Sequence, residues 1–316
     1  MGDKYIGLAK NSDDIISAIQ LVKKVFDENN KKENLIFPEE SLKLKNIVVV
    51  KIDDNIVATC LIHNRLFYFK GKKIPSAFLC FICVDKKMRG KGISKELMNF
   101  TIKICKKNKV KLSFVIARKA VDYYYSKFSF FGFSNYPKIL IKSNPKTTKT
   151  GLIFLKLKDS LINEIIDIYN DTYEKLIGGF HRDFINWKFI IKKGKTKGVS
   201  LNIIKDNDLT IGYICFKGVD IYEIALNEKK YYPFVLNKIL MDKQVNRINL
   251  HMGINHPISK ILDNFDYTFS FRKCWYGGHM IRVNDDREKF KILLDKKIQS
   301  NILSDEIFNI PLMDQL

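Results

Sequence analysis

Acidic residues are scarce relative to basic ones. Against 55 Lys and Arg stand only 34 Asp and Glu, so the 316-residue chain carries a formal net charge of +21. That balance excludes an acidic, solvating chain and admits partners with negative charge: nucleic acid, an anionic surface or phosphorylated ligands. The lysines are scattered rather than stacked in one block, so over-use of Lys, Ile and Asn explains much of the surplus. No run of about twenty uncharged apolar residues occurs, which argues against a membrane-spanning helix. The first ten residues, MGDKYIGLAK, have no apolar core of the signal-peptide kind, and Ile6 stands where a myristoylation signal wants a small hydroxyl residue. The expectation is a cytoplasmic protein. Cysteines number six, at positions 60, 80, 83, 105, 215 and 274, and disulfides are not expected in that compartment. Cys80 and Cys83 have the spacing of a metal knuckle but lie inside an apolar strand. Strand geometry predicts that they point to opposite faces, and no second pair follows, so buried thiols and no metal site are expected.

What is present centres on Phe78 to Phe100, FLCFICVDKKMRGKGISKELMNF. An apolar strand leads into a basic, glycine-bearing turn, and the turn opens a helix whose buried stripe is Ile93, Leu97, Phe100 and Ile104. Glycines let the backbone approach a ligand, free loop amides point outward, and the helix N-terminus adds positive potential, an arrangement suited to a pyrophosphate. Lys87, Arg89 and Lys91 add full charges.

In order, the first half reads as a helix (Asn11 to Phe26), three antiparallel strands (from Ile47, Ile56 and about Ile74), the loop and its helix, a strand (Val110 to Ala117), then a short helix and an aromatic strand or turn. This is an α/β arrangement of the mixed-sheet, α+β kind. Within it, Val84-x4-Arg89-Gly90-Lys91-Gly92-Ile93-Ser94 resembles the coenzyme A loop of the GNAT superfamily of N-acetyltransferases, with Ser94 where that family has Gly or Ala. Downstream, Tyr124-Tyr125-Ser126-Lys127-Phe128-Ser129-Phe130 resembles the family's aromatic-Tyr-x-Lys-x-Gly-Phe segment, with Ser129 in place of Gly. The resemblance covers about residues 1 to 145 and implies a catalytic acetyltransferase domain there.

The second half repeats a helix, a meander, a helix and a strand without a glycine loop, having Leu226-Asn227-Glu228-Lys229-Lys230 at the corresponding turn. It is read as a degenerate GNAT-like domain over 151–284, after a polar linker, with a C-terminal helix and tail over 285–316. Two tandem GNAT-like domains are similar to the Eis type of acetyltransferase, here without the sterol-carrier-like third domain. The two other signals, Gly194-Lys195-Thr196 and His181-Arg182-Asp183, lack the companions that a P-loop or a kinase loop needs.

The resemblance implies acetyl-CoA as donor, held by Met88, Arg89, Gly90, Lys91, Gly92, Ile93 and Ser94, with the strand edge at Cys83 and Val84 beside the pantetheine arm. It implies a tyrosine as proton donor to the departing thiolate, Tyr125 with Tyr124 as the alternative register; a phenol of pKa about 10 stays protonated at neutral pH. The strand Ile74 to Val84 carries no acidic residue, so the general base is sought in His63 or in the chain's own terminal carboxylate at Leu316. The expected activity is acyl transfer to a primary amine of a small molecule, sugar or peptide. Two alternatives stand: an aminoacyl-tRNA-dependent peptidyl transferase, which would use the positive charge for tRNA, and a non-catalytic basic module that senses coenzyme A or binds nucleic acid.

Overall fold

The computed structural model describes residues 3–27, 35–118, 122–133, 135–143, 151–273, 277–284 and 310–315. The first elements are β1 (Lys4–Leu8), α1 (Ser12–Asp27), β2 (Ile47–Ile52), β3 (Asn55–Phe69), β4 (Lys72–Val84), α2 (Ile93–Lys107), β5 (Leu112–Arg118), α3 (Asp122–Ser126), β6 (Phe131–Phe133) and β7 (Asn135–Lys142). There follow β8 (Leu152–Lys156), α4 (Asn163–Tyr173), β9 (Ile177–Phe180), α5 (Phe184–Thr196), β10 (Ser200–Asp206), β11 (Leu209–Lys217) and β12 (Asp220–Leu226). The last are α6 (Tyr231–Asp242), β13 (Arg247–Leu250), β14 (Asp266–Lys273), β15 (Gly277–Val283) and α7 (Leu312–Gln315). They form two units.

In the first unit the sheet runs β1-β2-β3-β4-β5-β15-β6. Along β2 alternate side chains serve opposite faces. Val48 and Val50 meet α2, through Leu97, Met98 and Cys105, whereas Ile47 and Val49 meet α1 through Ala18. Both faces are covered, so the strand reads as a continuous apolar run. Helix α1 starts where the Asn11 side chain accepts the Asp14 amide (2.9 Å). Asp14, itself buried, pairs with Lys51 at 2.6 Å, and the hydrogen bonds from the Lys10 amide and Lys51, working against burial, hold its carboxyl below the usual range.

The alternation breaks once, in β4. Phe81 has a φ of +52°, a left-handed conformation that inserts an extra residue on one face. Leu79 and Ile82 face α2, whereas Cys80, Phe81 and Cys83 all sit with the α1-side clusters. The expectation that Cys80 and Cys83 point to opposite faces is therefore overturned by this bulge. No group of three or more His, Cys, Asp and Glu among the described residues could hold a metal, and Cys60, Cys83, Cys105 and Cys215 are free thiols.

In the second unit the sheet runs β14-β7-β13-β12-β11-β10-β8. Helices α4 and α5 cover one face through Tyr169, Tyr173, Trp187 and Ile190; α6 and the 3-10 segment Pro257–Asn264 cover the other through Val235, Leu236, Ile239 and Ile258. Its β10-β11-β12 meander, α6 crossover and parallel β13 repeat the β2-β3-β4, α2 and β5 order of the first unit. The fold class is mixed α/β, with one element order present in both units.

One strand on the path of each sheet comes from the other half of the chain. β15 lies between β5 and β6, pairing antiparallel with β5 from Gly277↔Arg118 to Val283↔Leu112. β7 lies between β13 and β14 of the second sheet. Boundaries at 145 and 284 assign both strands by sequence order; the structure assigns each by its hydrogen bonds, which swaps them. The tip of β3, Phe67 to Phe69, likewise counts with the second unit, where it pairs with β9. The helix expected near residues 286–298 and most of the 285–316 tail lie outside the described residues.

Candidate active site

The loop after β4 is fixed at its start by Asp85. Its amide donates to the Val57 carbonyl (2.8 Å), and its carboxylate accepts from the Lys87 amide (2.9 Å) and from Lys24 Nζ (2.8 Å). The Lys24 bond, then the Lys87 amide, hold this carboxyl below the usual carboxylate range. Arg89 is tied back by Nε to the Val84 carbonyl at 3.3 Å. Gly90 and Gly92 have φ of +80° and +77°, which glycine adopts without steric cost, and nothing lies within 4 Å of where a side chain would project from either. Among the described residues no acceptor takes the amides of Gly90, Lys91, Gly92, Ile93 or Ser94. Five free donors, two open glycines and the N-terminus of the fifteen-residue α2 make a concavity that suits an anion.

The loop residues differ in what they can offer. Arg89, Gly90, Lys91 and Gly92 are exposed, Val84, Met88 and Ser94 half-buried, and Ile93 and Cys83 buried. Ile93 and Cys83 can therefore act only through their backbone; burial pushes the Cys83 thiol up to about 12.

Beside the loop the sheet is split. Strands β4 and β5 pair in parallel only at Ser76↔Leu112, Ala77↔Ser113 and Phe78↔Phe114, yet β4 runs on to Val84 and β5 to Arg118. A linear ligand that starts at the loop has a strand edge to follow.

The tyrosine triplet sorts by burial. Tyr123 is 66% exposed and its hydroxyl accepts from Lys127 Nζ at 3.0 Å, which lowers its pKa. Tyr124 and Tyr125 are half-buried and pack on the cluster that includes Cys60, Leu97 and Phe128. Burial raises both phenols; for Tyr124 the neighbouring Ser94 side chain pulls the other way, and for Tyr125 the Cys60 and Tyr124 side chains add to the rise. The motif's odd position, Ser94, thus stands beside a candidate tyrosine. Its second odd position, Ser129, holds a φ of +58°, the conformation for which a glycine is suited.

His63 is buried on β3. Its Nδ1 lies 2.8 Å from Ser41 Oγ and 3.6 Å from Glu40 Oε1. Sequence reading did not single out Glu40 or Ser41: they sit in a polar connection, in the short 3-10 turn Glu39–Ser41. Leu316 lies outside the described residues. Before it, Ile310 and Met313 are buried, and Asp314 Oδ2 accepts from Arg182 Nη2 at 2.8 Å in the second unit.

Among the described residues the second unit has no such opening. β12 and β13 pair at Asp220↔Asn249 and Ile221↔Leu250, after which the chain itself occupies the strand edge. The His251 amide donates to the Ile221 carbonyl (2.9 Å), and His256 Nε2 donates to the Ile224 carbonyl (3.1 Å). Glu223, on the strand that corresponds to β4, is held by Arg182 and by the Tyr213 hydroxyl (2.5 Å), with no surface exposed.

In the first unit a strand, a glycine turn and a helix thus stand beside a split between parallel strands. Residues 9–133 match the family described as "Acetyltransferase (GNAT) domain". Solved structures of the same fold include a GCN5-related N-acetyltransferase from Anabaena variabilis, with a TM-score of 0.69 at 13% identity over 90% of this chain and 73% of that one. Eis1 from Mycobacterium abscessus is similar, with a TM-score of 0.66 at 14% identity over 89% and 74% of the two chains. So is a probable N-acyltransferase from Enterococcus faecalis, with a TM-score of 0.64 at 15% identity over 90% and 73%. No curated protein matches the chain in sequence.

Proposed function

We propose that the protein is an acyl-CoA-dependent N-acyltransferase, with acetyl-CoA as donor and a primary amine of a small molecule, sugar or peptide as acceptor. The observation that carries this reading is the union of free amides at Gly90 to Ser94 with a split sheet that begins beyond Phe78. Those amides, with Lys87, Arg89 and Lys91, would hold the pyrophosphate, and the β4 edge from Ile82 to Val84 would take the pantetheine arm. Bound acyl-CoA supplies a thioester carbonyl as electrophile and a thiol as leaving group. Tyr125, with Tyr124 as the alternative, is the proton donor: a buried phenol with a raised pKa stays protonated across the neutral range. Cys60, Cys83, Cys105 and Cys215 are free thiols, which fits a reducing, cytoplasmic setting.

The test has two parts. Acetyl-CoA at about 100 times its Kd should stabilise the protein by about 2.7 kcal/mol, read as a rise in Tm. Thiol release from acetyl-CoA over a panel of amines should then identify an acceptor. Absence of a melting shift, together with salt-sensitive tRNA binding, would overturn the assignment in favour of a tRNA-dependent enzyme.

A further inference from the structure

In the second unit, three stretches far apart in sequence meet beside the end of β12. Tyr173, the last residue of α4, packs on His256 with ring centres 5.6 Å apart, and Tyr232, in the first turn of α6, does so at 6.1 Å. His256 in turn starts the 3-10 segment Pro257–Asn264 by accepting the Ile258 amide. Lys175 lies two residues beyond Tyr173, Lys229 three before Tyr232 and Lys260 four beyond His256. One buried histidine thus gathers three lysines from three elements, and all three are exposed.

Their charges act on one another. The Lys260 side chain, first by contact and then by charge, followed by desolvation and the charge of Lys175, lowers the Lys229 pKa. The two carboxylates of these stretches are engaged elsewhere: Glu174 reaches Lys73 at 4.0 Å and Glu228 reaches Lys230 at 2.8 Å. Among the described residues, Lys175, Lys229 and Lys260 make no ion pair. The turn after β3 adds to the positive charge. Its Gly71 amide donates to the Glu174 carbonyl (2.9 Å), which sets Lys72 and Lys73 beside the segment that carries Lys175. Like charges drawn together from distant parts of the chain oppose folding, so stability alone does not call for them.

The cluster stands between the strand and the helix of the element order that both units share, where the first unit has its glycine loop. Backbone donors are left over here too, since no acceptor among the described residues takes the amides of Glu228, Lys229 or Lys230. The strand edge is what differs. His251 and His256 fill it, so a phosphate has donors to meet but a linear arm has no strand to follow.

We propose that Lys175, Lys229 and Lys260 bind a small ligand with two or more linked phosphates, a nucleoside triphosphate or an inorganic polyphosphate. Two linked phosphates carry about three negative charges, enough for three ammonium groups, where a lone phosphate carries about two. Each ammonium donates to a phosphate oxygen in a charge-assisted hydrogen bond. The lysines converge on one place rather than line a groove, which suits a compact phosphate chain better than a nucleic acid backbone.

Titration calorimetry with tripolyphosphate, ATP and sulfate, at about 50 mM salt where screening is weak, tests the site. Gly92→Val, whose side chain enters the first-unit concavity, keeps that loop from taking up the probes, so the titrations use this variant beside the wild type. Tripolyphosphate and ATP should bind both. Adding Lys175→Gln, Lys229→Gln or Lys260→Gln should weaken binding by about tenfold each, whereas Lys103→Gln, on the exposed side of α2, should leave it unchanged. Without ligand, Lys229→Gln should raise Tm, because one of two meeting charges is gone. Unchanged affinity in the three lysine variants, or an equal loss in Lys103→Gln, overturns the proposal. Sulfate binding as tightly as tripolyphosphate does the same, since a single anion would then suffice. A short RNA that binds where tripolyphosphate and ATP do not, and is lost in the same variants, would give the lysines to a nucleic acid and equally overturn it.

Discussion

Arg182 grips Glu223 with two parallel hydrogen bonds, 2.5 and 2.8 Å long, where neither side chain reaches solvent. The guanidinium also meets Asp314 and lies over the rings of Tyr169 and Trp187, 4.1 and 4.8 Å from their centres. Removing the arginine strands two buried carboxylates. Arg182→Met should therefore cost about 3–5 kcal/mol in urea unfolding, whereas Arg182→Met, Glu223→Leu and Asp314→Leu together should regain most of it. Equal losses in the single and triple variants would count against this view of the cluster.

Acid should loosen the second unit through His256. It is fully buried, accepts the Ile258 amide at Nδ1 (3.2 Å) and donates from Nε2 to Ile224, so only the neutral ring satisfies both bonds. Burial depresses its pKa from 6.5 to about 3. The unfolded chain therefore takes up a proton that the folded chain refuses. This contribution is fully present above pH 6.5 and falls between 6.5 and about 3, by about 1.4 kcal/mol per pH unit. His256→Gln should flatten the stability profile across that window, measured by urea midpoints at several pH values.

The glycine loop invites a binding test. A side chain at Gly92 would meet no atom of the protein but would require a positive φ and would enter the open concavity. Gly92→Val should cost about 1–2 kcal/mol of stability and abolish the melting shift with acetyl-CoA. Lys91→Ala, which removes only an exposed charge, should weaken the shift without removing it.

Among the three tyrosines, kinetics should separate the register. Tyr125→Phe should lower kcat by about 10²-fold or more with the acetyl-CoA shift intact. Tyr123→Phe should leave kcat unchanged, because that ring points to solvent and pairs with Lys127. Full activity in Tyr125→Phe with loss in Tyr124→Phe would move the assignment by one residue.

Ser129→Gly should raise Tm. The serine holds φ at +58°, a conformation that costs an L-residue about 1–2 kcal/mol, of which glycine's extra chain entropy returns about half.

Much of this organisation is legible in the residues themselves. The apolar run into Val84, the glycines at 90 and 92 and the stripe from Ile93 to Ile104 each follow from local chemistry, and β4, the loop and α2 form there. Local periodicity does not reveal what depends on distant pairing. β14 alternates Tyr267, Phe269 and Phe271 in a readable strand pattern, but nothing in it says that its partner is β7, more than a hundred residues earlier. The Phe81 bulge is equally silent, since phenylalanine is not a residue that advertises a positive φ. The site shows the same division: loop and tyrosines carry a spacing, whereas Glu40 and Ser41 reach His63 only through the folded chain.

The reciprocal placement of β7 and β15 makes the two halves of the gene inseparable. A fragment that stops at 145 carries a strand whose hydrogen-bonding neighbours, β13 and β14, it does not encode, and lacks the strand that should join β5 to β6. No single cut between them yields two complete sheets. Each half holds a strand of the other's sheet, so deleting the half without a glycine loop would also unmake the sheet of the half that has one.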